Sequence, residues 1–176
     1  MQIVILAAGR GTRMKDLTDS VPKPMLQINS KPILAYKLEA LPEEIDEVIF
    51  VIGYLGNLIQ QYFGDFYAGK KISYVEQKEL NGGGAAVHLV KDLLRDDFLV
   101  MMGDDLYSKK DVENIMKHDF AILGLEVQEP KRFGIISLDG KGDLEKVVEK
   151  PDIAGPALAT APRPHSQRTA RLTSPD

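Results

Sequence analysis

Uninterrupted apolar runs alternate along this chain with stretches whose apolar residues recur at helical spacing. Residues 3–7 (IVILA) form the first run, which stops just short of Gly9, as a strand buried on both faces should. Pro32 then stands at a favourable helix start, and Ile33, Leu34, Leu38 and Leu41 recur every three or four positions until Pro42. A second buried strand is predicted over 48–52, ending at Gly53, followed by an amphipathic helix marked by Leu55, Leu58, Ile59, Tyr62 and Phe63 and closed by Gly64. Residues 72–75 read as a shorter strand. Ala86, Val87, Val90, Leu93 and Leu94 trace another helix, and 98–102 the next strand, which runs into Gly103-Asp104-Asp105.

Beyond that point Val112, Ile115 and Met116 mark a short helix and 120–127 a long strand. Residues 133–138 and 144–148 flank Asp139-Gly140, a hairpin signal. Strand–helix alternation up to Met102 implies an α/β fold, a three-layer sandwich whose mostly parallel mixed sheet carries helices on both faces. The later hairpin predicts antiparallel strands joining the sheet edge near the C-terminal part. Ligands of such sheets bind beyond the carboxyl ends of the strands. The loop at Gly9, Gly53, Gln77 and Asp104 all follow strand ends, so one cleft is expected to gather them.

The first of these loops carries the strongest chemical signal. Leu6-Ala7-Ala8-Gly9-Arg10-Gly11-Thr12-Arg13-Met14 is followed by Pro22-Lys23-Pro24. Glycines at 9 and 11 let backbone N–H groups approach a polyphosphate, since no Cβ intervenes. Arg13 and Lys23 add fixed positive charge. A dinucleotide fingerprint requires a third glycine where Met14 stands, and a P-loop requires Gly-Lys-Ser/Thr. This is a different phosphate loop.

The stretch 3–31 resembles the signature of the sugar-1-phosphate nucleotidyltransferases, L-A-A-G-x-G-T-R followed by K-P. The resemblance is to the glucose-1-phosphate thymidylyl- and uridylyltransferases and the mannose-1-phosphate guanylyltransferases. It implies a Rossmann-like fold in which Leu6, Ala8, Gly9, Gly11 and Thr12 line the nucleotide. Arg13 and Lys23 are then the catalytic cations, Arg13 on the β,γ-phosphates and Lys23 between the phosphates that meet in transfer.

Three further elements fit in order along the chain. A strand ending in Asp104 sets a carboxylate at the cleft mouth, which suits Mg²⁺ held by one or two carboxylates plus substrate phosphates; the resemblance assigns the metal to Asp104 and leaves Asp105 open. Gly103-Asp104-Asp105 also reads as a plain strand-to-helix turn. Gln77 offers a donor and an acceptor to a base edge, and Gly82 opens a glycine run at a helix start; the family pattern matches at both, with Gly83 replacing its usual Thr or Leu. The same stretch also reads as a surface loop. Gly134 lies in a strand, where glycine often marks close approach. The resemblance places it against the sugar, with Glu149 on sugar hydroxyls and Lys150 on the sugar phosphate.

Composition narrows the partners. A net charge of −4 leaves no basic footprint for nucleic acid. The absence of cysteine removes disulfides and thiolate metal sites. No apolar run is long enough for a signal peptide or membrane span, so a cytoplasmic protein without a membrane partner is expected. Homo-oligomerisation is left open. The resemblance covers 1–156 as one nucleotidyltransferase-like domain, incomplete at its end. Residues 157–176, rich in Pro, Arg, Ser and Thr without apolar periodicity, are expected to be a disordered or unrelated tail.

The implied activity is Mg-dependent transfer from an NTP, dTTP or UTP favoured, to a sugar 1-phosphate, giving an NDP-sugar and pyrophosphate. Two alternatives stand beside it: a CTP-dependent transferase acting on phosphocholine or another phosphate acceptor, and a truncated, catalytically silent nucleotide-binding domain.

Overall fold

Five of the six residues of β1 (Gln2–Ala7) are apolar, and Ile3, Val4 and Ile5 are fully buried, so this strand is central to its sheet. The computed structural model describes residues 1–152, 155–160 and 168–171, with the backbone alone at 12, 13, 15, 132 and 168–171. The chain divides into two units, Met1–Asp105 and Leu106–Asp176, where the sequence predicts one domain over 1–156.

In the first unit β1 is followed by 3₁₀ turns at Thr12–Thr18 and Lys23–Met25. A small hairpin of β2 (Gln27–Ile28) and β3 (Lys31–Pro32) leads into α1 (Ile33–Glu39), which starts directly after Pro32. Then come β4 (Glu47–Ile52), α2 (Gly56–Phe63), β5 (Phe66–Tyr67), β6 (Lys70–Glu76), α3 (Gly83–Leu89) and β7 (Phe98–Met102). The strand order is β5-β6-β4-β1-β7. All neighbours run parallel except β5 against β6.

Helices cover both faces of this sheet, as the alternation predicts. Val4, Ile49 and Val51 share one face and pack with Ala86 of α3 and Val90 just beyond it. Phe50 points the opposite way from its neighbours in β4. It meets Phe63 of α2 at a ring separation of 5.5 Å and stacks on Tyr74 of β6 at 5.8 Å.

The second unit opens with α4 (Lys109–Ile115), fixed by a capping box. The Ser108 hydroxyl accepts from Asp111 N–H at 3.2 Å, and Ser108 N–H donates to the Asp111 carboxylate at 3.1 Å. Its strands are β8 (Ala121–Val127), β9 (Gly134–Leu138), β10 (Leu144–Glu149), β11 (Ala157–Ala159) and β12 (Arg168–Arg171). They form their own antiparallel sheet, ordered β10-β9-β11-β8-β12.

Two expectations are corrected here. The predicted hairpin 133–148 pairs within this second sheet and not with the edge of the parallel one. Within the expected tail, β11 lies between β8 and β9, with Ala159 fully buried, and β12 pairs with β8. A strand inserted between two others has its backbone satisfied on both edges. Three short apolar residues, Ala157-Leu158-Ala159, are then enough to hold it, although they are too few to produce a periodic signal. The rest of the expected tail, 161–167 and 172–176, lies outside the described residues.

Candidate functional site

The site of the first unit is built at the carboxyl ends of β1 and β7. Three residues beyond Ala8, Gly11 adopts a φ of +66°, a region that favours glycine. A Cβ there would lie 3.2 Å from Lys23 Cβ and 3.3 Å from Thr18 Cγ2, so glycine also allows the Pro22-Lys23-Pro24 segment to approach. The Gly11 carbonyl accepts from Met14 N–H at 2.9 Å and from the Thr18 hydroxyl at 3.2 Å, which fixes the loop from within. A Cβ built on Gly9 would meet nothing within 4 Å among the described residues beyond its two chain neighbours.

Lys23 is presented by a short 3₁₀ turn whose following residues, Pro24 and Met25, are buried. Its ammonium pairs with the Asp104 carboxylate across the cleft, both side chains about one-third exposed. Leu6, Gly9, Gly11, Lys23, Met102 and Asp104 line one cleft of about 140 Å³. The loop, the lysine and the strand-end carboxylate that the sequence singled out are therefore neighbours in space.

Gln77 follows β6, its N–H bonded to the Ile52 carbonyl at 2.8 Å, and its side chain is 7% exposed. Its Nε2 donates to Asn81 Oδ1 at 3.2 Å and to the Gly82 carbonyl at 3.4 Å. A backbone carbonyl can only accept, so this contact fixes which way the amide points. Oε1 of Gln77 meets no donor among the described residues. Gln77 lines a second cavity of about 610 Å³ shared with Asn81, Gly84, Ala85 and His88. Leu6 lines the first cleft, and a Cβ on Gly83 at the start of α3 would touch its Cδ1 at 3.4 Å. Ala8 is buried in the core cluster beneath.

Gly134, Glu149 and Lys150 come together in the second unit. Gly134 and Glu149 are cross-strand partners in β9 and β10. A Cβ on Gly134 would stand 2.8 Å from Thr160 Oγ1 and 3.2 Å from Glu149 Oε2, so glycine makes room for both side chains. Lys150 adopts a φ of +44°, pairs with the Glu149 carboxylate at 3.2 Å, and donates its N–H to the Phe133 carbonyl at 2.9 Å. The side chains of Thr12 and Arg13 lie outside the described residues.

Two residues at these sites escaped the sequence reading. Lys37 on α1 is 2% exposed and donates to the Met102 carbonyl at the end of β7. Burial lowers its pKa to about 8, against the opposing pull of Asp105 and then Asp104. Burial and the neighbouring Asp104 charge hold Asp105 above the usual carboxylate range, with Lys37 and Lys23 opposing. The signal was present: Lys37 stands three residues after Leu34 and four before Leu41, a charged residue on an apolar stripe. Thr160 is the other, donating through both N–H (2.8 Å) and hydroxyl (3.2 Å) to the Gly134 carbonyl. Nothing in its local sequence marks it.

The donor set at Asp104 fits a divalent cation that takes few protein ligands. Among the described residues no group of three or more His, Asp or Glu converges as an all-protein cage would. One strand-end carboxylate beside a second, with a cleft at hand for phosphate oxygens, is the arrangement Mg²⁺ favours.

Comparison with known proteins agrees with this geometry. A family model described as "Nucleotidyl transferase" matches residues 2–161. The bifunctional protein GlmU of Methanocaldococcus jannaschii is 36% identical over 152 residues, covering 86% of this chain and 36% of that protein. The UTP–glucose-1-phosphate uridylyltransferase AglF of Haloferax volcanii is 33% identical over 160 residues, covering 86% of this chain and 66% of its own length. The chain thus spans about a third of the first relative and just under two thirds of the second. Among solved structures, HddC from Yersinia pseudotuberculosis complexed with GMP-PN superposes with a TM-score of 0.73 at 26% identity, over 91% of this chain and 73% of that one. A family model over nearly the whole chain, on a fold that brings the glycine loop, Lys23 and Asp104 into one cleft, shows that this chain belongs to the nucleotidyl transferase family.

Proposed function

We propose that the protein transfers a nucleotidyl group from dTTP or UTP to a sugar 1-phosphate, releasing pyrophosphate. The observation that carries this reading is the cleft at the ends of β1 and β7, where the Gly9–Gly11 loop, Lys23 and Asp104 meet. It serves as the phosphate end, and the separate Gln77 cavity of the same unit serves as the base end. The unpartnered Oε1 of Gln77 calls for a donor on the base. Uracil and thymine meet it with N3–H, their one ring donor on the pairing edge. Similarity to the UTP–glucose-1-phosphate uridylyltransferase AglF of Haloferax volcanii supports the same substrate classes.

The chemistry needs no activated side chain. An oxygen of the sugar phosphate, already anionic, attacks the α-phosphorus in line; the new O–P bond forms as the α–β bridging bond breaks and pyrophosphate departs. The chain's part is positioning and charge. Amides at Gly9 and Gly11 line the phosphates, and Arg13 neutralises the leaving pyrophosphate. Lys23 exchanges its contact with Asp104 for the phosphates that meet in the transition state. Asp104 would hold Mg²⁺, which supplies charge neutralisation of the triphosphate. In the second unit, Glu149, for whose side chain Gly134 makes room, and Lys150 are assigned to the sugar hydroxyls and the sugar phosphate.

The test is pyrophosphate release over a panel of nucleoside triphosphates and phosphate acceptors, with Lys23→Ala as control. Turnover with dTTP or UTP and a sugar 1-phosphate, reduced on the order of a hundredfold in Lys23→Ala, is the expected result. Turnover confined to CTP and phosphocholine, or nucleotide binding without any turnover, replaces this reading.

A further inference from the structure

Tyr54 follows Gly53 at the end of β4 and touches the phosphate loop at three places. Its N–H donates to the Ala8 carbonyl at 3.3 Å, where the loop leaves β1. Its ring lies under the Arg10 guanidinium, 5.0 Å from the centroid. Its hydroxyl donates to the Asp19 carbonyl at 2.8 Å, just past the 3₁₀ turn Thr12–Thr18. One side chain therefore holds both ends of the segment 9–19, whose middle contains Gly11 and the turn that follows it. Gly53 brings the tyrosine this close: a Cβ there would stand 2.8 Å from the Ala8 carbonyl oxygen.

Tyr54 is not among the residues lining the cleft of Leu6, Gly9, Lys23 and Asp104. Its contacts are with the Ala8 carbonyl, Arg10 and the Asp19 carbonyl.

We propose that Tyr54 is the positioning residue of the phosphate loop, seating Arg10 on its ring and tying the Asp19 end with its hydroxyl so that the Gly9 and Gly11 amides stand ready for the triphosphate. The inference rests on the nucleotide reading above in taking this loop to face phosphates. Without the tether the segment must be ordered at the moment of binding, and that entropy is subtracted from affinity. The penalty falls on the phosphate end of the nucleotide. The base end is held by Gln77, on another strand.

Tyr54→Phe removes the hydroxyl and keeps the ring; Tyr54→Leu removes both. Affinity for UTP with Mg²⁺ and for uridine is measured by calorimetry, with hydrogen exchange of the amides in 10–19 on the ligand-free protein. The hydroxyl's hydrogen bond accounts for about fivefold in UTP affinity and the ring's cation contact for about a further threefold. Tyr54→Phe is expected to weaken UTP about fivefold, leave uridine binding and thermal midpoint near wild type, and speed exchange in the Thr12–Thr18 turn. Arg10→Ala should weaken UTP in the wild-type background and add nothing to Tyr54→Leu.

Unchanged UTP affinity in Tyr54→Phe overturns the proposal, as does an equal loss for UTP and uridine, which would mark a merely structural residue. A wild-type protein that binds no UTP sinks the nucleotide reading instead. Exchange on the ligand-free protein then decides the tether by itself, faster exchange upholding it and unchanged exchange overturning it.

Discussion

Replacing Lys37 by methionine measures what a buried ammonium costs this fold. Lys37 is 2% exposed, and its pKa falls from an ordinary 10.5 to about 8, chiefly through burial. Below pH 8 both native and unfolded chains carry the proton, and the cost of burying the charge is fully present. Between pH 8 and 10.5 the unfolded chain still holds a proton that the native state has released, so stability rises with pH across that window. At about 1.4 kcal/mol per pH unit, the rise is about 3 kcal/mol. Methionine fills a similar volume and does not titrate, so the variant lacks this gain. Groups common to both proteins cancel in the difference. Urea denaturation from about pH 7 to about pH 11 reads the two curves. The wild type should gain about 3 kcal/mol on the variant between pH 8 and 10.5. The comparison at a single pH is less informative, because the substitution also strips a donor from the Met102 carbonyl and a countercharge from Asp105. Curves that stay parallel through the window would refute the argument, since Lys37 would then titrate alike in both states.

Two further outcomes are expected. Asp104→Asn should raise the Mg²⁺ requirement about tenfold or more, and Asp105→Asn less, because Asp104 lines the cleft while Asp105 is turned toward burial beside Lys37; Mn²⁺ binding followed by paramagnetic resonance, with nucleotide present, ranks them, and a reversed order moves the metal to Asp105. Gly103→Ala places a Cβ 2.9 Å from the Leu6 carbonyl oxygen, 3.1 Å from Ala7 Cβ and 3.2 Å from Pro24 Cγ, against backbone and ring atoms that cannot yield easily. It should lower stability by roughly 1–3 kcal/mol in chemical denaturation, whereas Gly140→Ala, with open space around it, should be near neutral; equal stabilities would mean the β1–β7 junction relaxes freely.

The sequence by itself determined the parallel half of this protein. Strands buried on both faces must be apolar throughout, and helices packed on a sheet must repeat near 3.6 residues, so β1, β4 and the helices around them are written in local pattern; β7 is as apolar, although it is an edge strand with Phe98, Val100 and Met102 exposed. The glycine loop stood out for a related reason: Gly11 adopts a φ that favours glycine, and Lys23 lines the same cleft within a short span of chain. Tertiary structure alone decided the rest. Whether the hairpin 133–148 joins the parallel sheet or founds a second one depends on which distant edge is free, and periodicity carries no partner label. β11 owes its place to pairing on both edges and to the burial of Ala159 against Ile135, neither of which three residues can signal by periodicity, so composition did not show it. Lys37 is buried because the Met102 carbonyl and the Asp104–Asp105 charges wait beneath α1, more than sixty residues further along the chain. Tyr54 reaches Arg10 and Asp19 only once β4 lies beside β1. Local pattern encodes what a residue must be buried against in kind; only the folded chain fixes which residue that is.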